Sequence, residues 1–276
     1  MYNLVKMDVY RFVKTMLPKL VLILLLMALS IAALQKMSVQ QNGIASVGAD
    51  EGETGMSIAL ENGSDPYLES GMDLAEYMTA NGFGPLYTMI SGISMILFAM
   101  ADNKRGYRKN IAGLVGSKGK IYMAKLISTG IFTLLYLVSA YLLNFVCGKI
   151  FLGSWLSFGN VLELLRNFFV LCLLLSAFNI IYVGVGLLSA SNIFAIIVCF
   201  IAGMGILGNL YDFITFGIMK VANGLVIPLG RYMVDPWLTG TYLVSEDYAL
   251  VTAISLLWIV VMGLITVMVL RKRDIL

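Results

Sequence analysis

Long apolar runs alternate with short polar segments along the 276 residues of the chain. A helix needs about 20 apolar residues to cross the hydrocarbon core of a bilayer, because it rises only about 1.5 Å per residue. Six runs reach or approach this length, at 17–35, 83–100, 121–146, 168–188, 193–210 and 248–270. The pattern predicts an all-α integral membrane protein with six transmembrane helices. Four residues, 189–192, separate the fourth and fifth runs, which predicts a tight helical hairpin there.

The segment before the first run, residues 1–16, has the pattern of an amphipathic helix. One helical face carries the apolar residues Val5, Val9, Phe12, Val13 and Met16, and the other face carries Arg11 and Lys14. This predicts an interfacial helix on the inner leaflet, with its basic face toward anionic lipid. A simple cytoplasmic extension of the first span is the alternative.

The segment 211–247 is apolar for a loop, but glycine and proline interrupt it repeatedly. Broken backbone persists at membrane depth only where it packs against protein or lines a cavity. The segment therefore predicts short re-entrant helices at the outer leaflet, between spans five and six. An ordinary extracellular loop is the alternative.

Composition and charge agree with a membrane protein and predict its orientation. Hydrophobic residues make up 59% of the chain and charged residues 13%, whereas soluble domains are about 25% charged. With the N-terminus inside, 14 Lys and Arg residues fall in cytoplasmic segments and 5 in external ones. Cytoplasmic loops carry the excess of Lys and Arg, so both termini are predicted to be cytoplasmic.

The first external loop, residues 36–82, carries eight acidic residues and a single basic residue, Lys36. Such a loop attracts cationic molecules to the outer face. The alternative is a solvated loop with no role of its own.

Residue types exclude most enzymatic chemistry. The chain has no histidine, which removes the commonest general base and the commonest metal ligand. Cys147, Cys172 and Cys199 lie in or beside apolar runs and are predicted to be small buried hydrophobes. The GxGxxG match at 203–208 lies inside an apolar run with no strand before it, so it predicts close helix packing rather than a nucleotide site. We therefore predict no catalytic residue and no metal site.

Ionisable residues inside a membrane are usually functional. Asp102, Asp212 and Asp235 fall at the ends of runs or in loops, which argues against proton-coupled or sodium-coupled transport. Two polar residues within or near the runs, Asn179 and Asn209, are candidates for lining a pathway. Hydrogen bonding between helices is the alternative for both.

The basic segment 101–125, ADNKRGYRKNIAGLVGSKGKIYMAK, separates the second and third runs, and the chain closes with VLRKRDIL. In this order, together with the large external loop, the chain resembles the membrane subunits of type 2 ABC exporters. It is most similar in layout to small bacterial permeases of the bacitracin and lantibiotic export and immunity kind. The family usually has a Ser-Arg pair where this chain has Ser117 and Lys118, a difference that keeps the charge.

The resemblance implies a function and a set of partners. A cytoplasmic coupling helix loop at 101–120 would dock on a separate ATPase dimer, which would hold ATP and Mg²⁺, so this chain would need no cofactor. The implied contact residues are Asp102, Lys104, Arg105, Gly106, Tyr107 and Arg108. A second permease subunit, identical or homologous, would pair with this one among membrane lipids. The segment 211–247 would be the family's outer-leaflet re-entrant hairpin, and the cargo a peptide, an antibiotic or a lipid-like molecule.

Two other interpretations remain open at this stage. The loop at 101–125 could be basic only because cytoplasmic loops are. The chain could also be a non-transport membrane sensor or assembly factor that binds a ligand through the acidic external loop. Nucleic-acid binding is a poor explanation, because the basic residues lie at the ends of apolar runs.

Overall fold

The computed structural model describes residues 2–47, 72–79, 84–104, 118–221, 228–239 and 247–272. Its helices are α1 (Tyr2–Thr15), α2 (Leu17–Val47), α3 (Leu74–Tyr77), α4 (Pro85–Lys104), α5 (Lys118–Leu152), α6 (Val161–Ser189), α7 (Asn192–Gly203), α8 (Ile206–Val221), α9 (Asp235–Thr239) and α10 (Tyr248–Lys272). Short 3-10 helices lie at Gly153–Trp155 and Leu229–Tyr232. Within these ranges the strands are β1 (Met72–Asp73) and β2 (Leu156–Ser157), which pair in parallel. The predicted all-α class is confirmed.

Four helical segments are long and apolar enough to cross a membrane: Leu17–Met37, Gly119–Trp155, Val161–Ser189 and Tyr248–Arg271. The pair α7 and α8 makes a fifth if the two are counted as one bent span. The apolar part of α4, Pro85–Ala101, is shorter; at 1.5 Å per residue it measures roughly 25 Å. The chain is therefore a helical membrane protein with four or five candidate spans among the described residues.

The fifth apolar run, 193–210, is not the continuous helix that we predicted. α7 ends at Gly203, α8 begins at Ile206, and the two axes differ by 75°. Gly205 lies between them with φ +74°, a left-handed conformation that favours glycine. A Cβ on Gly203 would lie 3.0 Å from the backbone Cα of Met89 in α4. Gly205 thus breaks the helix, and Gly203 allows the predicted close packing.

The predicted hairpin between the fourth and fifth runs is present. α6 ends at Ser189, and the next residue, Ala190, has a left-handed conformation with φ 56°. The Ser191 side chain then accepts a hydrogen bond from the backbone N–H of Phe194, at 3.3 Å, and caps α7. A serine at this position satisfies a donor that the first turn of a helix leaves unpaired.

Contacts between side chains fix the directions of the helices around α5. Tyr87 of α4 bonds Asn144 of α5 and Phe98 packs on Phe132, so α4 and α5 are antiparallel. Tyr141 of α5 bonds Asn167 of α6, and Thr133 accepts from Asn179, so α6 is also antiparallel to α5. Asn167 bonds Tyr248, the first residue of α10. One end of the bundle, here called the basic end, therefore carries α1, the last turn of α4, the first turns of α5 and the last turn of α10.

Close packing of α4 predicts a difference between two helical glycines. A Cβ on Gly92 would overlap Cys199 Sγ of α7 and lie 2.8 Å from Phe178 Cε1 of α6, whereas a Cβ on Gly130 of α5 would meet nothing within 4 Å. We expect Gly92→Ala to destabilise the protein by about 1–3 kcal/mol through overpacking. Gly130→Ala, the matched control, should be neutral or stabilising by up to about 1 kcal/mol. Thermal unfolding of both variants in detergent measures the difference, and equal midpoints would contradict the packing.

Candidate functional site at the basic end

Basic residues from four helices meet at the basic end. Along the described helices they are Lys6, Arg11, Lys14, Lys104, Lys118, Lys120, Lys125, Arg271 and Lys272. The acidic residues of the same turns are Asp8 and Asp102. The segment 105–117, which lies outside the described residues, connects the last turn of α4 to the first turn of α5 in the sequence.

A buried ion pair ties α1 to α5 at the basic end. Lys125 Nζ lies 3.4 Å from Asp8 Oδ1 and 3.5 Å from Oδ2. Lys125 is 5% exposed and Asp8 is 7% exposed. The ammonium also lies 4.4 Å from the centre of the Phe98 ring of α4, within range of an attractive cation–π contact. Lys125 of α5 thus contacts both α1 and α4.

Three phenylalanines form a cluster on the same three helices. The Phe12 ring of α1 stacks on Phe132 of α5, with centroids 4.1 Å apart. Phe98 of α4 packs edge-on against both, at 5.4 Å from Phe12 and 4.7 Å from Phe132. Such aromatic pairs contribute about 0.5–1.5 kcal/mol each beyond the burial of their area. α1 is therefore docked on the bundle through the face that holds Asp8 and Phe12.

The predicted amphipathic helix of residues 1–16 is present as α1, but its inner face packs on protein. Phe12 is fully buried, whereas Val13 and Tyr10 are 43% and 64% exposed. The exposed side chains leave an outer face for contact with lipid, and that contact stays a prediction.

The residues of the implied coupling surface fall at the point where α4 ends. Asp102 and Lys104 belong to the last turn of α4, which continues unbroken from the second apolar run. Arg105, Gly106, Tyr107 and Arg108 lie outside the described residues, so their role stays a prediction. The helices on either side of them, α4 and α5, are joined through Lys125, Phe98 and Phe132.

The two candidate pathway residues lie in different surroundings. Asn179 is fully buried in α6 and donates hydrogen bonds to Ser91 Oγ of α4 at 2.8 Å and to Thr133 Oγ1 of α5 at 2.9 Å. Asn209 is exposed on α8. The structure does not bring the two together, and a pathway role for either stays a prediction. The bonds of Asn179 are those of the alternative, hydrogen bonding between helices.

An apolar crevice of about 280 Å³ lies at the opposite end of the bundle, between α3, α5 and α6. Leu74, Tyr141, Phe145, Phe158 and Phe168 are among the side chains that line it. Its chemistry suits an apolar chain or ring rather than a charged group. In the described ranges, no three His, Cys, Asp or Glu side chains are grouped closely enough to hold a metal ion. Cys147, Cys172 and Cys199 are free thiols.

The burial of two carboxylates was not predicted from the sequence. Asp8 shares its helical face with Val5 and Phe12, so an acid within the apolar stripe of an amphipathic helix was the available signal. Asp235 was assigned to a broken loop, but it is 4% exposed at the start of α9. Asp8 and Asp235 are thus buried acids that lie outside the candidate spans.

Comparison of the sequence with protein-family models finds no match, and comparison with curated proteins finds no similar sequence.

Proposed function

We propose that the chain is the membrane subunit of an ATP-driven ABC exporter, powered by a separate ATPase dimer. The observation that carries the proposal is the joining of α1, α4 and α5 at the base of the segment 105–117. The buried Asp8–Lys125 pair and the Phe12–Phe98–Phe132 cluster make that base one packed unit. A push on a loop held this way moves three helices together, as a coupling element requires.

The proposed topology has six spans with both termini in the cytoplasm of a bacterial cell. The four long apolar helices, the shorter α4, and α7 with the first residues of α8 supply the six. Local thinning of the bilayer accommodates a short hydrophobic helix at modest cost. The excess of Lys and Arg at the basic end favours a cytoplasmic position for that end.

In this proposal the segment 211–247 lies at the outer leaflet, where α8 and α9 are its re-entrant helices. α8 supports this, because Phe213 and Phe216 are 74% and 65% exposed on a strongly apolar helix. Exposed apolar rings are favourable in a bilayer and costly in water. Asn209 on the same helix is the better placed of the two proposed pathway residues, since Asn179 is enclosed.

The proposed mechanism assigns no chemistry to this chain. ATP and Mg²⁺ are held by the ATPase subunits, whose closure presses on the coupling surface formed by Asp102, Lys104, Arg105, Gly106, Tyr107 and Arg108. The movement passes through α4 and α5 to the spans of two permease subunits, identical or homologous. The cargo is a peptide, an antibiotic or a lipid-like molecule that leaves the membrane or the cytoplasm outward.

Charge reversal at the proposed coupling surface tests this function. Arg105→Glu with Arg108→Glu should abolish binding of the ATPase that co-purifies with the native chain. Like charges brought together at an interface cost several kcal/mol, or about a hundredfold or more in affinity. Retained ATPase binding and retained stimulation of ATP hydrolysis in this double variant would contradict the proposal, as would the absence of any co-purifying ATPase.

Lys149→Glu is the matched control, because Lys149 is exposed at the opposite end of the bundle. It should leave ATPase binding unchanged. Deletion of residues 45–75 tests the alternative function, a ligand sensor. This deletion would abolish the activity of a sensor, whereas loss of the ATPase would leave that activity unchanged.

A further inference from the structure

Asp235 is a buried carboxylate whose hydrogen bonding is incomplete. It begins α9, is 4% exposed, and its Oδ1 accepts a hydrogen bond from the Tyr211 hydroxyl of α8 at 3.1 Å. Its Oδ2 is buried and has no hydrogen-bond partner among the described residues. A buried charged acceptor left without a donor is unfavourable, because it loses its hydration and gains no hydrogen bond in exchange. The ionised form of Asp235 is therefore poorly accommodated in this packing.

The titratable groups around Asp235 supply no positive charge. α8 contributes Tyr211 and α6 contributes Tyr182, and a phenol carries no positive charge in either protonation state. In the first half of α4 the titratable residue is Tyr87, whose hydroxyl pairs with Asn144.

The charged residues that lie close to Asp235 in the sequence do not pair with it. The Arg231 guanidinium lies 3.7 Å from Asp247 and is more than half exposed, and Asp212 is exposed on α8. Within the described ranges no basic group lies within ion-pair distance of Asp235.

Burial of the carboxyl group raises the pKa of Asp235 to about 6, and the hydrogen bonds from a backbone N–H and from Tyr211 offset only part of that rise. A metal ion is a poor occupant, because Ca²⁺, for example, takes about 6–8 oxygen ligands. The oxygens identified at this site are the carboxylate and one phenolic hydroxyl. A proton, which needs a single oxygen, fits them.

The short helix that Asp235 begins, α9, packs against the bend between α7 and α8. The bend between α7 and α8 centres on Gly205, where an added Cβ would lie 3.0 Å from Thr239 Oγ1 of α9. Tyr211 ties α9 to α8, whereas Tyr182 and Cys199 belong to the helices on the other side of the bend. A charge that appears at Asp235 therefore acts on the packing between the two halves of the bent pair.

We propose that Asp235 is a proton-binding site, and that loss of its proton loosens the packing of α8 and α9 against α6 and α7. The step is a simple acid dissociation: the carboxylic acid releases H⁺ to solvent and the buried carboxylate remains. This inference does not depend on the proposed ATPase partner. It identifies Asp235 as a buried acid of the kind that proton-linked transporters use.

The test follows Trp237, two residues from Asp235 and 7% exposed, in the full chain carrying Trp155→Phe and Trp258→Phe. In detergent, the emission of Trp237 should shift with a midpoint near pH 6, the value set by the Asp235 carboxyl. Asp235→Asn should remove the shift, whereas Asp212→Asn, an exposed acid on the same segment, should keep it. A midpoint near pH 4, or an unchanged shift in Asp235→Asn, would overturn the proposal.

Tyr211→Phe provides a second variant if Asp235→Asn does not fold. The Tyr211 hydroxyl stabilises the carboxylate, so its removal should raise the midpoint above that of the parent chain. A midpoint that stays in place or falls would count against Asp235 as the titrating group.

Stability should change with pH in the same sense. The pKa of Asp235 is raised from 3.8 to about 6 in the folded chain, so folding favours the protonated form. The stabilising contribution is complete below about pH 4 and is lost as the pH rises through 6, a change of about a hundredfold in the folding equilibrium constant. Asp235→Asn should remove this part of the pH dependence, and a parent chain whose stability rises from pH 4 to 8 with the same slope as the variant would oppose the assignment.

Discussion

Substitution of Lys125 by Met is expected to lower the free energy of unfolding by about 3–5 kcal/mol, because it leaves the mostly buried carboxylate of Asp8 without this ammonium. The pair is 3.4 Å apart and both side chains are less than a tenth exposed, so solvent screens it little. Met keeps most of the volume of the lysine stem, which limits any separate loss of packing. Lys120→Met, an exposed lysine five residues earlier in α5, is the matched control and should change stability by less than about 0.5 kcal/mol.

The reverse substitution should cost less. Asp8→Leu leaves the Lys125 ammonium, which retains the Phe98 ring and has a flexible stem that can carry its charge toward the polar boundary. The double variant Asp8→Leu with Lys125→Met removes both charges, and replacing a buried pair by apolar residues is often close to neutral. We therefore expect the order of stability to be native chain, double variant, Asp8→Leu and then Lys125→Met.

Unfolding of the purified chain in a denaturing detergent series measures all four free energies and completes a double-mutant cycle. If the double variant is as unstable as Lys125→Met, the loss comes from packing and not from the ion pair. If Lys125→Met behaves like Lys120→Met, the ion pair contributes nothing to the docking of α1.

The helices of this fold could be predicted well wherever charge bounds an apolar run. α10 runs from Tyr248 to Lys272, close to the predicted 248–270, because Asp247 and Arg271 flank an uncharged stretch. α6 begins at Val161, seven residues before the predicted start, because Asn160 accepts a hydrogen bond from the Leu162 N–H and begins the helix in a polar stretch. Counting apolar residues along the sequence does not detect a polar residue that caps a helix.

The break between α7 and α8 could not be read from hydropathy. Residues 193–210 contain no charge, and an average over apolar residues ignores backbone dihedrals. The left-handed Gly205 and the approach of Gly203 to Met89 decide the local path, and the second of these depends on tertiary packing. Similarly, Asp8 and Lys125 are 117 positions apart, so no local pattern pairs them.

The second large effect concerns the docking of α1. Phe12→Ala should lower the free energy of unfolding by about 3–5 kcal/mol, because it empties a fully buried site and removes two ring contacts. Tyr10→Ala removes a comparable ring from the same helix, but that ring is 64% exposed. We expect the Tyr10 variant to lose less than about 1 kcal/mol.

The two variants should also differ in a local measurement. A helix of 14 residues is only marginally stable once it leaves its packing surface, so α1 should fray in Phe12→Ala and expose the peptide bond after Lys14 to trypsin. Cleavage there should be faster in Phe12→Ala than in the native chain or in Tyr10→Ala, at temperatures well below global unfolding. Equal cleavage rates in the two variants would mean that α1 is held by lipid contact and not by the Phe12–Phe98–Phe132 cluster, and the cluster could then not join α1 to the base of the segment 105–117.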